Sequence, residues 1–550
     1  MQRMGRRAPI MPLVMERSFA PAVRWLFSSE NGARDRLLPR WIFLRGMGLI
    51  YFSAFYPLLF QIKGLIGPDG VLPANEYLQA LTKLGATRFW YAPTLFWIST
   101  SNHALMAVSW IGIAASVLLV LNVWPRATLL VCFVCFLSFI GAAQDFSSYQ
   151  SDGMLLEAGF LSLFFAPRGL RPGLGADSPP IRASLFLLNW EWFRIYFESG
   201  MVKLASGEPQ WRNFTAMDEY YQNGPLPTWT GWYVQHLPHR FHAFATGLTL
   251  VLELGLVWML FLPRRWRIAC FFIVTGWQIP VIYTANYTFL NYIVTLLGVL
   301  LLDDRFVERW LPGWVLPWVG WKRGLVADVA GAPGAEATPS LVSRCLRATK
   351  VGVTAVMLLW IFYATTVQMI WIVAPTTLFP TSPVGVLEPF RIAGRYGLFA
   401  VMTRGRYEIE FQGSNDGQNW TAYPFRYKPQ DVTKPPGIYA PYQPRFDWNL
   451  WFASLDVWRN NMFVVSAEER LLAGAADVLA LFRSNPFPEA PPKYVRAVLW
   501  QYWFTSMAEK REMGMWWKRQ YLGLYAPELT IAPEGRLQVV EWPPQRLPMR

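Results

Sequence analysis

A chain of 550 residues with 53% hydrophobic, 16% aromatic and only 16% charged residues has too little charge for a soluble globular protein, in which about a quarter of residues are charged. The net charge of +14 raises nucleic acid as a partner. The Lys and Arg residues, however, sit mainly in loops beside apolar segments, a positive-inside pattern that excludes that class and argues for an integral membrane protein rich in interfacial Trp.

Residues 1–40 hold Arg3, Arg6, Arg7, Arg17, Arg24, Arg34, Arg36 and Arg40 and no signal-peptide core, so they read as a basic cytosolic N-terminal segment. Nine apolar runs of spanning or near-spanning length follow, at about 43–61, 104–122, 127–145, 153–166, 183–204, 242–262, 267–283, 284–302 and 351–373. With a cytosolic N-terminus, the inward loops carry Arg126, then Arg168, Arg171 and Arg182, then Arg264, Arg265 and Arg267, then the basic linker 303–350. The odd count places everything after 374 on the outer side. The predicted fold is a polytopic α-helical membrane protein of about nine transmembrane helices with a C-terminal α+β extramembrane domain. The bundle spans 41–374, with an outward loop at 207–240, and the outward-facing domain spans 375–550.

In that last region, Arg406–Gln412 and Asn419–Arg426 flank the turn residues Gly413–Gln418, a hairpin signature. Helical patterns are read at about 449–459, 466–483 and 492–508. Cys132 and Cys135 form a CxxC inside an apolar run, where packing suits a thiol better than redox chemistry does. No Walker loop, GxSxG or HExxH occurs.

Chemistry concentrates between Tyr149 and Trp211. Two apolar runs there carry Asp152, Glu157, Glu191, Arg194, Glu198 and Lys203. Charges in hydrocarbon are costly and mark function by default. Glu191, Arg194 and Glu198 are spaced i, i+3, i+7 and share a helix face, so Arg194 pairs with either carboxylate, and Asp152 and Glu157 are placed to meet that face. Two readings stay open: a buried ion network joining helices, with Lys203 snorkelling to the interface, or a substrate or proton site. His236, His239 and His242 are broken up by Pro238 and lack acidic or Cys company, so they read as interfacial histidines and no metal is expected. Asn213, Asn286 and Asn419 head N-glycosylation sequons, with Asn286 too close to the membrane to be a good acceptor.

The segments YQSDGMLLEAGF (149–160), Phe193-Arg194, GMVKL (200–204), WRNFTAMD (211–218), GPLP (224–227), FLNY (289–292), YGLF (396–399), PRFDW (444–448), Trp451-Phe452 and NPFP (485–488) follow one another in order. Over about 36–526 the chain resembles the lipase maturation factor family. That resemblance implies a multi-pass, chaperone-like membrane protein that assists folding and activation of exported lipases. Vertebrate members lie in the endoplasmic reticulum; the ending at Arg550, without a lumenal retention tetrapeptide, makes a bacterial-type inner-membrane member the expectation here. The partners implied are an exported lipase or other secreted client and membrane lipid, with no cofactor. Client-binding candidates are Arg445, Asp447, Trp448 and Trp451, with Trp211, Arg212, Asp218, His236 and His242 in the outward loop. A second resemblance covers only YFESGMVK (196–203) and Trp211, to vitamin K-dependent γ-carboxylase-like membrane domains. It implies Lys203 as candidate base in an integral membrane enzyme acting on a lipid-soluble substrate, the alternative to a non-enzymatic factor.

Overall fold

The computed structural model describes residues 16–147, 149–313 and 340–544. Most of the linker expected at 303–350, and the first residues of the basic N-terminal segment, lie outside the described residues.

After a first helix at Glu16–Phe27, the bundle continues with α1, Leu37–Phe55. The Asp304 carboxylate accepts the N–H groups of Leu37 at 3.1 Å and Leu38 at 2.7 Å, placing an anion at the positive end of the helix. Arg36 donates to the carbonyl of Leu300 at 3.1 Å, so the same corner is tied from both sides. Next come α2 (Asn102–Val120), capped by the Ser101 hydroxyl, and α3 (Pro125–Ile140), which starts on a proline that lacks the N–H a first turn cannot use. Helices α4 (Gln150–Phe165) and α5 (Arg182–Ala205) follow. Then come α6 (His239–Phe261), α7 (Arg264–Thr284), α8 (Leu290–Leu301) and α9 (Leu341–Val373). Helix α5 runs through the centre and packs on α4, α6, α8 and α9. It is buried on nearly every side, with apolar residues distributed round the helix and Glu191, Arg194, Glu198 and Lys203 buried among them.

Both α6 and α7 change gait midway. Helix α6 contains a π-helical turn at Val251–Gly255 and a 3₁₀ end at Leu256–Phe261; α7 contains a π-helical turn at Phe271–Thr275.

Among the described residues, α2, α6, α7 and α9 are long and apolar enough to cross a membrane. A fifth span results if α1 and the following helix Leu58–Ile66, bent by 46°, are counted as one. The chain is thus an integral membrane protein by composition and helix length, but nine spans are not reached among the described residues. The runs at 127–145 and 284–302 form the shorter helices α3 and α8, and 153–166 forms the 16-residue α4. The run at 183–204 forms α5, which is long enough but carries four buried ionisable groups.

The C-terminal part contains a six-stranded antiparallel sheet: β1 (Arg406–Ser414), β2 (Thr421–Ala422), β3 (Tyr494–Phe504), β4 (Trp517–Leu524), β5 (Glu528–Ile531) and β6 (Leu537–Glu541). The order is β2-β1-β3-β5-β6, with β4 on the other half of β3. Ile409 faces Leu499 across the central pair. The expected hairpin forms between β1 and β2, with Gly417 at φ +72° and the Asp416 carboxylate accepting the N–H groups of Gln418 and Asn419 at 2.8 Å.

The helix expected at 492–508 is instead β3. Its sequence YVRAVLWQYWF is rich in β-branched and aromatic residues, and it is flanked by partners on both sides, which decides the competition against helical periodicity. Of the other two helical readings, 449–459 lands on α10 (Arg445–Ala453), a few residues early, and 466–483 is split into α11 (Phe463–Leu472) and a single turn at Ala476–Leu479. Gly474, at φ +67°, ends α11. One apolar core runs from α1 through α5 into β1 and β3.

Candidate functional site

Arg194 stands at the centre of the buried polar groups. It forms a salt bridge with Glu157 of α4, lies 3.8 Å from Glu198 on its own helix, and donates to the carbonyl of Gly394 at 2.6 Å. Glu157 also accepts the N–H of Gly394 and the hydroxyl of Tyr396, each at 2.8 Å. Glu198 accepts the N–H of Tyr396 at 2.7 Å. The Tyr396 hydroxyl lies 3.4 Å from Glu191. The network is therefore closed by the loop at 394–396, which comes from the C-terminal part of the chain. Every one of these side chains is fully buried.

Asp152 does not meet that face. It forms a bidentate pair with Arg445 of α10, at 2.7 and 2.8 Å. Arg445 also donates to the carbonyl of Phe146 at 2.8 Å and lies over the rings of Phe139 and Tyr149. A fully buried guanidinium fork matched to a carboxylate is the arrangement in which geometry holds such a pair together.

Lys203 does not snorkel. Its side chain is buried, and Nζ donates to both carboxylate oxygens of Glu253 at 2.7 Å while lying 5.0 Å from the centre of the Trp211 ring. Here the lysine is one half of an ion pair. Glu253 sits in the π turn of α6. Sequence reading passed over it, although it is the one acid in the run 242–262 and so carried the same signal as the others. The pair borders a cavity of about 240 Å³ walled by α5, α6, α7, α8 and the 207–240 loop.

The loop residues reach different neighbours. Trp211 donates to the carbonyl of Phe399 at 2.9 Å, and Arg212 to that of Leu204 at 3.0 Å. Asp218 pairs with His239 at 2.9 Å. His236 bridges the carbonyls of Trp232 (2.7 Å) and Thr505 (2.9 Å). His242 is buried beside Tyr221. The three histidines do not converge on one point.

Arg445, Asp447, Trp448 and Trp451, expected at a client-binding surface, are 0%, 2%, 6% and 8% exposed. The first turn of α10 is turned inward on Tyr149 and on the 427–428 loop. Asp447 accepts the N–H groups of Tyr427 and Lys428 at 3.1 Å each. Burial pushes its carboxyl up to about 6, against those two hydrogen bonds and the Lys428 charge. The clefts that open in this region include one of about 410 Å³ bordered by Asp447, Tyr427 and Tyr442, and one of about 530 Å³ beside the sheet. The rim of the cleft beside the sheet carries Trp500 under the Arg519 guanidinium at 4.1 Å and Trp420 under Arg496 at 3.8 Å.

The family profile for the lipase maturation factor transmembrane domain matches residues 38–309, and that for the lipase maturation factor C-terminal domain matches 392–527. Lipase maturation factor 2 of Gallus gallus is 31% identical, covering 90% of this chain and 81% of the relative. The human protein of the same name is 30% identical, over 90% and 83%. Lipase maturation factor 1 of Bos taurus is 29% identical, over 92% and 91%. No solved structure matches. With both profiles matched in chain order and relatives aligned along nine-tenths of its length, this chain belongs to the lipase maturation factor family.

Proposed function

We propose that this protein is a membrane-held, chaperone-like factor for the maturation of an exported lipase. Its helical bundle, 41–374, anchors the region 375–550 on the outer face of the membrane. The observation that carries the reading is the set of buried bonds between the two regions: Asp152 to Arg445, and Glu157 and Glu198 to residues 394–396. They hold the sheet region at one place relative to the bundle. A client meeting it would find the cleft beside β1 and β3, where arginines lie on Trp420 and Trp500. Indole faces with guanidinium cover suit an incompletely folded partner that still exposes apolar and acidic groups. The loop at 207–240 lies against the same region through His236 and Trp232.

The test is co-expression with a secreted lipase, reading active lipase per amount of secreted protein. Deleting the factor is expected to lower that ratio. The pair Trp500→Ala and Arg519→Ala is expected to lower it with the factor still present in membranes at its normal level. If deletion leaves the ratio unchanged, the maturation role falls. If deletion lowers it and the double variant does not, the cleft is not the client surface.

A further inference from the structure

We propose that the cavity beside the Lys203–Glu253 pair binds one single-chain lipid with a neutral, hydrogen-bonding head, of the monoacylglycerol class. The inference does not rest on the lipase reading. A volume of about 240 Å³ lies just below the usual range of ligand pockets, about 300–1,000 Å³; it holds a glycerol-sized head with the first carbons of one chain, the rest of the chain passing out through the mouth, and has no room for the larger head and two chain starts of a phospholipid. The mouth is at the side of the bundle. Phe241 and Phe244 of α6 line the cavity and are also 41% and 67% exposed on the outer, apolar surface of that helix. A ligand dissolved in a bilayer could enter there without crossing water.

The inner end is polar but carries no net charge. Lys203 is held by both oxygens of Glu253. Asn291 donates to Gln278 at 2.6 Å, and Gln278 donates to the Tyr196 hydroxyl at 2.7 Å. Amides and hydroxyls of this kind exchange hydrogen bonds readily with the hydroxyls of a neutral head. An ionised carboxylate head would have to compete with Glu253 for Lys203 and would leave one buried anion without a partner. The two π-helical turns flank this end: Val251–Gly255 carries Glu253, and Phe271–Thr275 precedes Trp277 and Gln278. Such turns cost helical hydrogen bonding and recur at functional sites. No bond is made or broken in the ligand; the site is for holding it.

The experiment uses the full chain purified in detergent, with a photoreactive monoacylglycerol and the photoreactive fatty acid of equal chain length, and mass spectrometry of the labelled peptides. The monoacylglycerol is expected to label segments 241–253 and 277–294, and unlabelled monoacylglycerol to compete. Ala245→Trp and Val281→Trp, which fill the cavity, are each expected to cut labelling about tenfold. Leu118→Trp, on the exposed side of α2, leaves it unchanged. Glu253→Gln removes the partner of Lys203 and is expected to turn preference towards the fatty acid by about tenfold, a change a purely structural glutamate would not produce. Labelling that is equal on α2, or that survives both cavity-filling variants in protein with an unchanged melting temperature, overturns the site. Preference for the fatty acid in the wild type overturns the neutral head.

Discussion

The carboxamide of Asn286 makes five hydrogen bonds. It donates to the carbonyls of Leu226, Pro227 and Gly437 and accepts from the N–H groups of Tyr439 and Ala440. Although it heads a glycosylation sequon, its nitrogen is buried and spoken for, and the residue ties the 207–240 loop to the C-terminal region. Asn286→Ala strands the part-buried N–H donors of Tyr439 and Ala440, each worth up to about 1 kcal/mol, and is expected to lower the thermal midpoint in detergent below that of wild type. Asp447 offers a test by pH. Its folded carboxyl sits near 6, above the ordinary value of 3.8, so the folded state holds the proton more tightly than the unfolded one. Stability from this group is full below about pH 4, is lost as pH rises through 6, and stays flat beyond. Asp447→Asn keeps an oxygen for both backbone donors, and the slope of melting temperature between pH 4 and 6 is expected to become less negative. Sequence could flag the intramembrane charges because hydrocarbon makes any charge conspicuous. It could not pair them, since Arg445 and Tyr396 lie 293 and 239 positions from the acids they meet.

At the scale of elements, local signals worked where local chemistry decides the outcome. The turn at Gly413–Gln418 needs only its own Ser, Asp and Gly residues, and the hairpin was legible. Strand β3 was not, because its identity depends on β1, β4 and β5 being present to pair with it. The π turns left no mark in the hydropathy pattern either. Packing between elements adds a further test. Gly64, in the helix Leu58–Ile66, faces the backbone of Asp477 so closely that a Cβ there would sit 2.3 Å from its carbonyl oxygen and 2.8 Å from Leu481. Backbone cannot swing aside as a side chain can. Gly64→Ala is therefore expected to cost about 1–3 kcal/mol, seen as easier proteolysis at 473–485 with the membrane helices still intact. If proteolysis there is unchanged, the helix Leu58–Ile66 does not brace this corner.

Over the whole molecule, the apolar runs announced a membrane protein, but the count of spans depends on which runs pack sideways against partners, a matter of tertiary structure. Helices α4 and α5 are apolar enough to register in a hydropathy scan and charged enough to need the C-terminal region beside them. A chain ending at residue 374 leaves Asp152, Glu157 and Glu198 without the Arg445, Gly394 and Tyr396 groups that they bond. Breaking a buried pair costs about 3–5 kcal/mol, so the truncated bundle is expected to elute from size-exclusion chromatography as aggregate where the full chain is monodisperse. Arg445→Met alone is expected to show part of this loss, and Arg445→Met with Asp152→Asn to recover some of it. If the truncated chain runs as a sharp, stable peak, the bonds between the two regions are incidental to the bundle.

Those bonds also set a clock. Glu157 precedes Gly394 by 237 positions. At synthesis rates of about 5–20 residues per second, the ribosome needs on the order of ten to fifty seconds to deliver the second after the first. Throughout that interval Glu157 and Glu198 have only Arg194 for company, and Asp152, whose partner is Arg445, stays unanswered, open to water, to lipid headgroups or to the wrong neighbour. A protein proposed to shepherd others through an unfinished state thus passes through a long one of its own, and its yield in a cell should respond to whatever slows or pauses translation between α4 and the 394–396 loop.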